Sequence, residues 1–173
     1  MQEPIKVEQL DSEGLRSLLS DFAKRWLAHD GLWFQAAEKE FDLETAMKLD
    51  TEAWRRFSPI EARRIKKILK LEDKAGLEGL AEALKLRLYA FINKQSIEFI
   101  DDNTLELRMV DCRVQSARQR KQMSLFPCKS VGIVEYTTFA ETIDERIETE
   151  CVRCVPDEYN GECFCHWRFK LEK

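Results

Sequence analysis

Six cysteines fall in the second half of the chain and none in the first. Four are grouped near the end, as Cys151-Val-Arg-Cys154 and Cys163-Phe-Cys165. Thiolates are preferred zinc ligands, and paired thiols on a hairpin also serve as redox centres. Cys151, Cys154, Cys163 and Cys165 are therefore a candidate metal set, with Zn2+ as the cofactor and an iron–sulfur cluster as a poorer fit. Two other readings stay open. Free cysteine is among the most buried residue types, so a strand face can simply pack it. Strand-opposed cysteines can also form a reversible disulfide.

Phe126-Pro-Cys128 places another thiol in the first turn of a helix. Unpaired N–H groups and the helix dipole favour the thiolate there. Gly132, one turn on, removes a side chain from the same face, and Glu135 follows two turns on. Cys128 with Glu135 is a candidate catalytic pair, a nucleophile with open space and a carboxylate nearby. A cysteine packed at a helix–sheet junction is the structural alternative. The two histidines, His29 and His166, are both distant from Cys128 in sequence. In the first half, His29-Asp30-Gly-Leu-Trp33-Phe combines aromatic and polar groups at an expected helix start. Asp50 interrupts an apolar helical stripe between Met47 and Trp54, where Arg63 or Arg64 could neutralise it. His29, Asp30, Trp33, Asp50, Cys112 and Gly132 are the candidate ligand-pocket residues. The basic run from Arg113 to Lys129 fits an anionic ligand or, more simply, a solvated helix face.

The elements that must position these groups follow from periodicity. Leu15, Leu18, Leu19, Phe22 and Trp26 form a helical stripe after an Asp11/Ser12 cap. Asp30 is expected to cap a short second helix, and Asp42 a third carrying Ala46, Met47, Trp54 and Phe57. Ser58-Pro-Ile-Glu61 has the form of a capping box with proline at the first helical position, which predicts a new helix running to about Leu71. Leu77 to Ile92 gives one more amphipathic helix. The period changes near Gln95. Ile97 and Phe99, then Leu105, Leu107 and Met109, alternate around Asp101-Asp-Asn103, which predicts a β-hairpin. The basic segment after Cys112 is partly helical, Pro127 opens a helix, and 143–155 with 163–171 make a second hairpin. Cys163, Cys165, Trp167, Phe169 and Leu171 share its core face. Pairing core residues across that hairpin sets Cys151 against Cys165 and Ile147 against Phe169.

These elements predict an α+β fold, with N-terminal helices packed on a four-stranded antiparallel sheet of ββ-α-ββ order. The expectation is a single domain over 1–173, helical over 1–93 and cysteine-bearing over 94–173. With 44% hydrophobic and 35% charged residues, the composition is that of a globular protein. A net charge of −4 argues against nucleic-acid binding. No apolar run predicts a membrane span, and Met1-Gln-Glu-Pro-Ile-Lys6 has no leader pattern, so a cytoplasmic location with reduced thiols is expected.

Several motifs together resemble a family of uncharacterised prokaryotic cytosolic proteins. They are His29-Asp-Gly-Leu-Trp-Phe, Leu49-Asp50 with Trp54-Arg-Arg-Phe, Cys112-Arg-Val-Gln, Phe126-Pro-Cys128-Lys-Ser-Val-Gly132-Ile, and Cys151 to Cys154-Val-Pro-Asp157 with Cys165-His-Trp167-Arg-Phe. The last motif reads Cys-Pro-Pro-Asp in that family, a mild departure here. That family is distantly similar to 2-aminothiazoline-4-carboxylate hydrolases and to vinyl-reductase-type ligand-binding domains. The resemblance implies a ββ-α-ββ core, and either small-molecule binding or sensing, or hydrolysis of a C–N bond. The third function expected is a structural or homo-oligomeric module whose cysteines only pack.

Overall fold

The computed structural model describes residues 6–158 and 161–172. The first five residues, on which the expected lack of a leader partly rests, lie outside the described residues. The architecture is α+β, with five α-helices and a four-stranded antiparallel sheet among the described residues.

Two long helices form the first half. Helix α1 (Ser12–Glu40) is capped by Asp11, whose side chain accepts the Gly14 N–H. It does not break at Asp30, which sits mid-helix rather than at a cap. Gly31 is the single weak helix former there, and one glycine costs only about 1 kcal/mol. Helix α2 (Leu43–Leu69) is capped by Asp42 as expected, through the Thr45 N–H at 2.6 Å. The capping box at Ser58 does not form, and α2 runs through Pro59. Trp54, Ser58, Ala62 and Ile65 lie on one buried face of this continuous helix. Burial of that face outweighs the backbone hydrogen bond that proline removes. The chain doubles back between the two helices, so Trp26 meets Trp54 and Phe57, with ring centroids 6.1 and 5.6 Å apart.

Helix α3 (Gly76–Leu84) is shorter than the predicted 77–92 element. Arg87 takes an extended backbone before a short 3-10 turn at Leu88–Phe91. Its guanidinium turns into the core between Glu61 and Glu135. Strands β1 (Lys94–Asp101) and β2 (Thr104–Asp111) form the predicted hairpin. Helix α4 (Arg113–Arg120) and helix α5 (Lys129–Ile143) follow, then β3 (Ile147–Cys154) and β4 (Cys165–Leu171). Ile143 closes α5 rather than opening β3, because it belongs to the buried stripe with Tyr136, Phe139 and Ala140.

Strand order is β1-β2-β4-β3. Leu105, Leu107 and Met109 of β2 and Cys165, Trp167 and Phe169 of β4 point into the core. Glu106, Arg108, His166 and Arg168 alternate onto the other face, where Arg108, Arg168 and His166 surround Glu106. Helix α5 lies between α2 and the core face of the sheet, against both α2 and β3. Among the described residues, no helix is long and apolar enough to cross a membrane.

Candidate functional site

The β3–β4 register differs from the predicted one by two residues. Ile147 pairs with Leu171, Cys151 with Trp167 and Cys154 with Cys165. Alternation fixes which residues face the core, and a slip of two preserves it, so parity alone could not choose between the two registers. A bulge between Cys151 and Arg153 adds the second change. In a straight strand, residues three apart point to opposite faces; the extra residue reverses parity after Cys151. Both Cys151 and Cys154 therefore reach the core side.

Helix α5 delivers a third thiol to the same place. Cys128 is its N-cap residue, and the Lys129 N–H donates to the Val155 carbonyl at 2.9 Å. Asp157 binds the Lys129 ammonium at 2.7 Å and accepts the Cys154 N–H at 3.1 Å. The turn after β3 is thus tied to the start of α5, and Cys128 Sγ lies 3.5 Å from Cys154 Sγ. Cys154 is the hub, with hydrogen-bonding neighbours in Cys128, Cys151 and Cys165. The hydrogen bond it shares with Cys128 lowers the Cys128 thiol below the ordinary cysteine range, with help from Gln115, while burial opposes it. Cys154 itself is held in the thiol form. Burial pushes the Cys112 thiol up to about 12.

Cys163 stands outside this group. It is buried, and the Arg153 guanidinium lies 3.1 Å from its sulfur. The predicted Cys151, Cys154, Cys163 and Cys165 set is thus divided, and Cys128 takes the place given to Cys163. Among the described residues, no group of three or more His, Cys, Asp or Glu side chains has an arrangement that could hold a metal ion.

Beside the thiols lies a cavity of about 440 Å³ between the helical half and the sheet. Asp30, Asp50, Gln115, Cys112, Cys128 and Cys165 supply its polar and sulfur-bearing wall. Phe34, Trp54, Tyr89, Phe126 and Tyr136 supply much of the apolar wall, and Lys24, Arg113, Arg118 and Lys121 also line it. Of the predicted pocket residues, Asp30, Asp50 and Cys112 line it. His29 and Trp33 do not; Trp33 is 69% exposed and His29 is exposed. Gly132 faces Trp167 instead, and a Cβ built there would stand 2.8 Å from the indole ring. The space that Gly132 was expected to leave is filled by that ring, and the opening at Cys128 is the cavity instead.

Asp50 has no ion-pair partner in Arg63 or Arg64. Burial, then the charges of Asp30 and Glu135, raise its carboxyl to about 7, against the pull of the Trp54 side chain. Burial also raises Asp30. Glu135 is buried and bonded to Arg87 at 2.6 Å, not to Cys128. Burial lifts its carboxyl to about 7 although Arg87 pulls the other way. Arg87 also binds Glu61 at 2.8 Å and lies over the ring of Phe139 at 4.6 Å. Burial disfavours its charge, but Glu61 and Glu135 more than offset this. This network braces α2 against α5.

Gln115 is the site residue that periodicity missed. Its amide donates to the Phe126 carbonyl at 2.8 Å and accepts the Phe126 N–H at 2.9 Å. The same nitrogen lies 3.5 Å from Cys128 Sγ. A buried glutamine with both ends engaged fixes the corner that presents Cys128. The only sequence signal was its place in Cys112-Arg-Val-Gln, inside a segment that otherwise read as solvated.

These features define an α+β domain with a thiol-lined cavity. The model of a family described as "Family of unknown function (DUF6125)" matches residues 8–171, and the chain belongs to that family. No curated protein matches the chain at a significant level.

Proposed function

We propose that the protein binds a small molecule in the cavity between α1, α2, α4, α5 and the sheet, as a ligand-binding or sensor domain. The observation that carries this reading is the cavity itself. It combines an aromatic wall with a few convergent polar groups, the usual composition of a small-molecule site. Asp50 supports the reading, because its carboxyl is desolvated against the cavity and makes no ion pair among the described residues, so a cationic ligand would find an unneutralised partner there. The test is thermal unfolding of the purified protein against a panel of small amines, amidines and amino acids. Binding at a hundred times Kd stabilises by about 2.7 kcal/mol, which appears as a higher Tm. Ala117→Phe, which places a ring in the cavity, should abolish the shift while the variant still unfolds cooperatively. No shift from any compound, or an equal shift in Ala117→Phe, would count against the proposal.

A second reading, a thiol-dependent C–N hydrolase, rests on the Cys128 sulfur that opens onto the cavity beside the Gln115 amide. Neither His29 nor His166 lines the cavity, so the general base would be a carboxyl or water. Turnover of 2-aminothiazoline-4-carboxylate that disappears in Cys128→Ser would support this reading; turnover that survives would remove Cys128 as nucleophile.

A further inference from the structure

Cys128 and Cys154 come from different elements, yet their sulfurs lie 3.5 Å apart. Both partners are held in place. Gln115 fixes the Phe126–Cys128 corner, and Asp157 ties the end of β3 to the first residue of α5. The two sulfurs differ in access. Cys128 lines the cavity, whereas Cys154 is 1% exposed and does not line it. An accessible thiol backed by a buried one is the arrangement in which the first sulfur meets an oxidant and the second resolves the product.

We propose that Cys128 and Cys154 form a site of oxidative modification, in which a small hydroperoxide enters the cavity and is reduced as the two cysteines close a disulfide. The Cys128 thiolate attacks the terminal oxygen of the hydroperoxide. The O–O bond breaks, the alkoxide takes up a proton and leaves as alcohol, and Cys128 becomes a sulfenic acid. Cys154 then attacks the Cys128 sulfur. The S–O bond breaks, the Cys154 proton leaves with the hydroxyl as water, and the S–S bond forms. Two thiols lose two electrons, and the hydroperoxide gains them. Closing the gap of 3.5 Å to a bond of about 2.05 Å shortens the S–S distance by roughly 1.5 Å. The bond would lock the start of α5 to the end of β3 and draw Cys128 off Gln115.

The neighbouring thiols define the alternatives. Cys112 also lines the cavity, but no hydrogen bond joins its sulfur to another thiol among the described residues, so it has no resolving partner at the distance that separates Cys128 from Cys154. Cys151 is the competitor, since it too neighbours Cys154 and is half-buried.

The test treats the reduced wild-type protein with one equivalent of tert-butyl hydroperoxide, followed by peptide mass spectrometry without reductant. The expected result is a Cys128–Cys154 cross-linked peptide, a fall of two in the free-thiol count, and full reversal by dithiothreitol. Cys151→Ser should keep the cross-link. Cys154→Ser should instead leave a dimedone-reactive sulfenic acid at Cys128. A wild-type cross-link between Cys151 and Cys154, or no thiol loss even with excess hydroperoxide, would overturn the proposal. So would stoichiometric zinc in the reduced protein that Cys128→Ser removes. The wild-type map decides the matter even if a variant fails to fold.

Discussion

At the scale of single residues, the same side chain can look chemical in sequence and prove mechanical in the fold. Gly132 read as open space beside a nucleophile. It is the point where α5 touches the sheet, with Trp167 in the position a side chain would take. Gly132→Ala should therefore destabilise the protein by roughly 1–3 kcal/mol through overpacking, although alanine is the better helix former. Urea denaturation measures this, and an unchanged or higher midpoint would show that the ring has room to move. Glu135 went the same way. Its helical position was read correctly, but Arg87, a residue the sequence did not flag, claims its carboxylate. Cys128 and Asp50 kept positions on the cavity wall.

At the scale of elements, Ser58 separates two readings of α2. As an N-cap, its loss would cost about 1 kcal/mol. In the continuous helix its hydroxyl is fully buried without a hydrogen-bond partner among the described residues. Ser58→Ala should then stabilise by about 1 kcal/mol, by removing an unsatisfied polar atom while keeping the close packing of a small residue. A lower denaturation midpoint in Ser58→Ala would restore the capping reading. The small residues Ser58 and Ala62 are fully buried on α2, and α5 packs against that helix. On α1, Leu15, Leu19 and Phe22 form a stripe that the single chain leaves exposed.

At the scale of the whole molecule, the buried carboxyls pull stability in opposite directions with pH. Asp144 accepts from Arg146 and the Gly76 N–H, and these bonds hold it at about 2. Its contribution is complete above the ordinary carboxylate range and is lost as pH falls towards 2. Asp50 acts the other way. It keeps its proton in the fold up to about 7, so it favours folding at low pH and loses that effect as pH rises from about 4, the ordinary carboxylate value, through 7. These two groups place their combined optimum near pH 4. Asp50→Asn should be more stable than wild type at pH 8 by roughly 1–2 kcal/mol, allowing for its partial exposure, and indistinguishable from it at pH 4. Equal differences at both pH values would show that Asp50 is not the titrating group.

The sequence by itself determined the fold class, the first hairpin, the existence of α5 with its start two residues early, the Asp11 and Asp42 caps, and which residues of β2 and β4 face the core. All of these follow from local rules, since periodicity, capping and alternation are set by a few neighbouring residues. The tertiary structure decided that α1 and α2 are continuous, because burial of a whole face overrides local stop signals such as Pro59. It decided the β3–β4 register, because a slip of two leaves alternation intact. It also decided which thiols meet: the bulge after Cys151 and the Asp157 tie join Cys128 to Cys154 and leave Cys163 with Arg153. Alternation tells each residue which face it takes, but only packing between distant segments tells it whom it meets there.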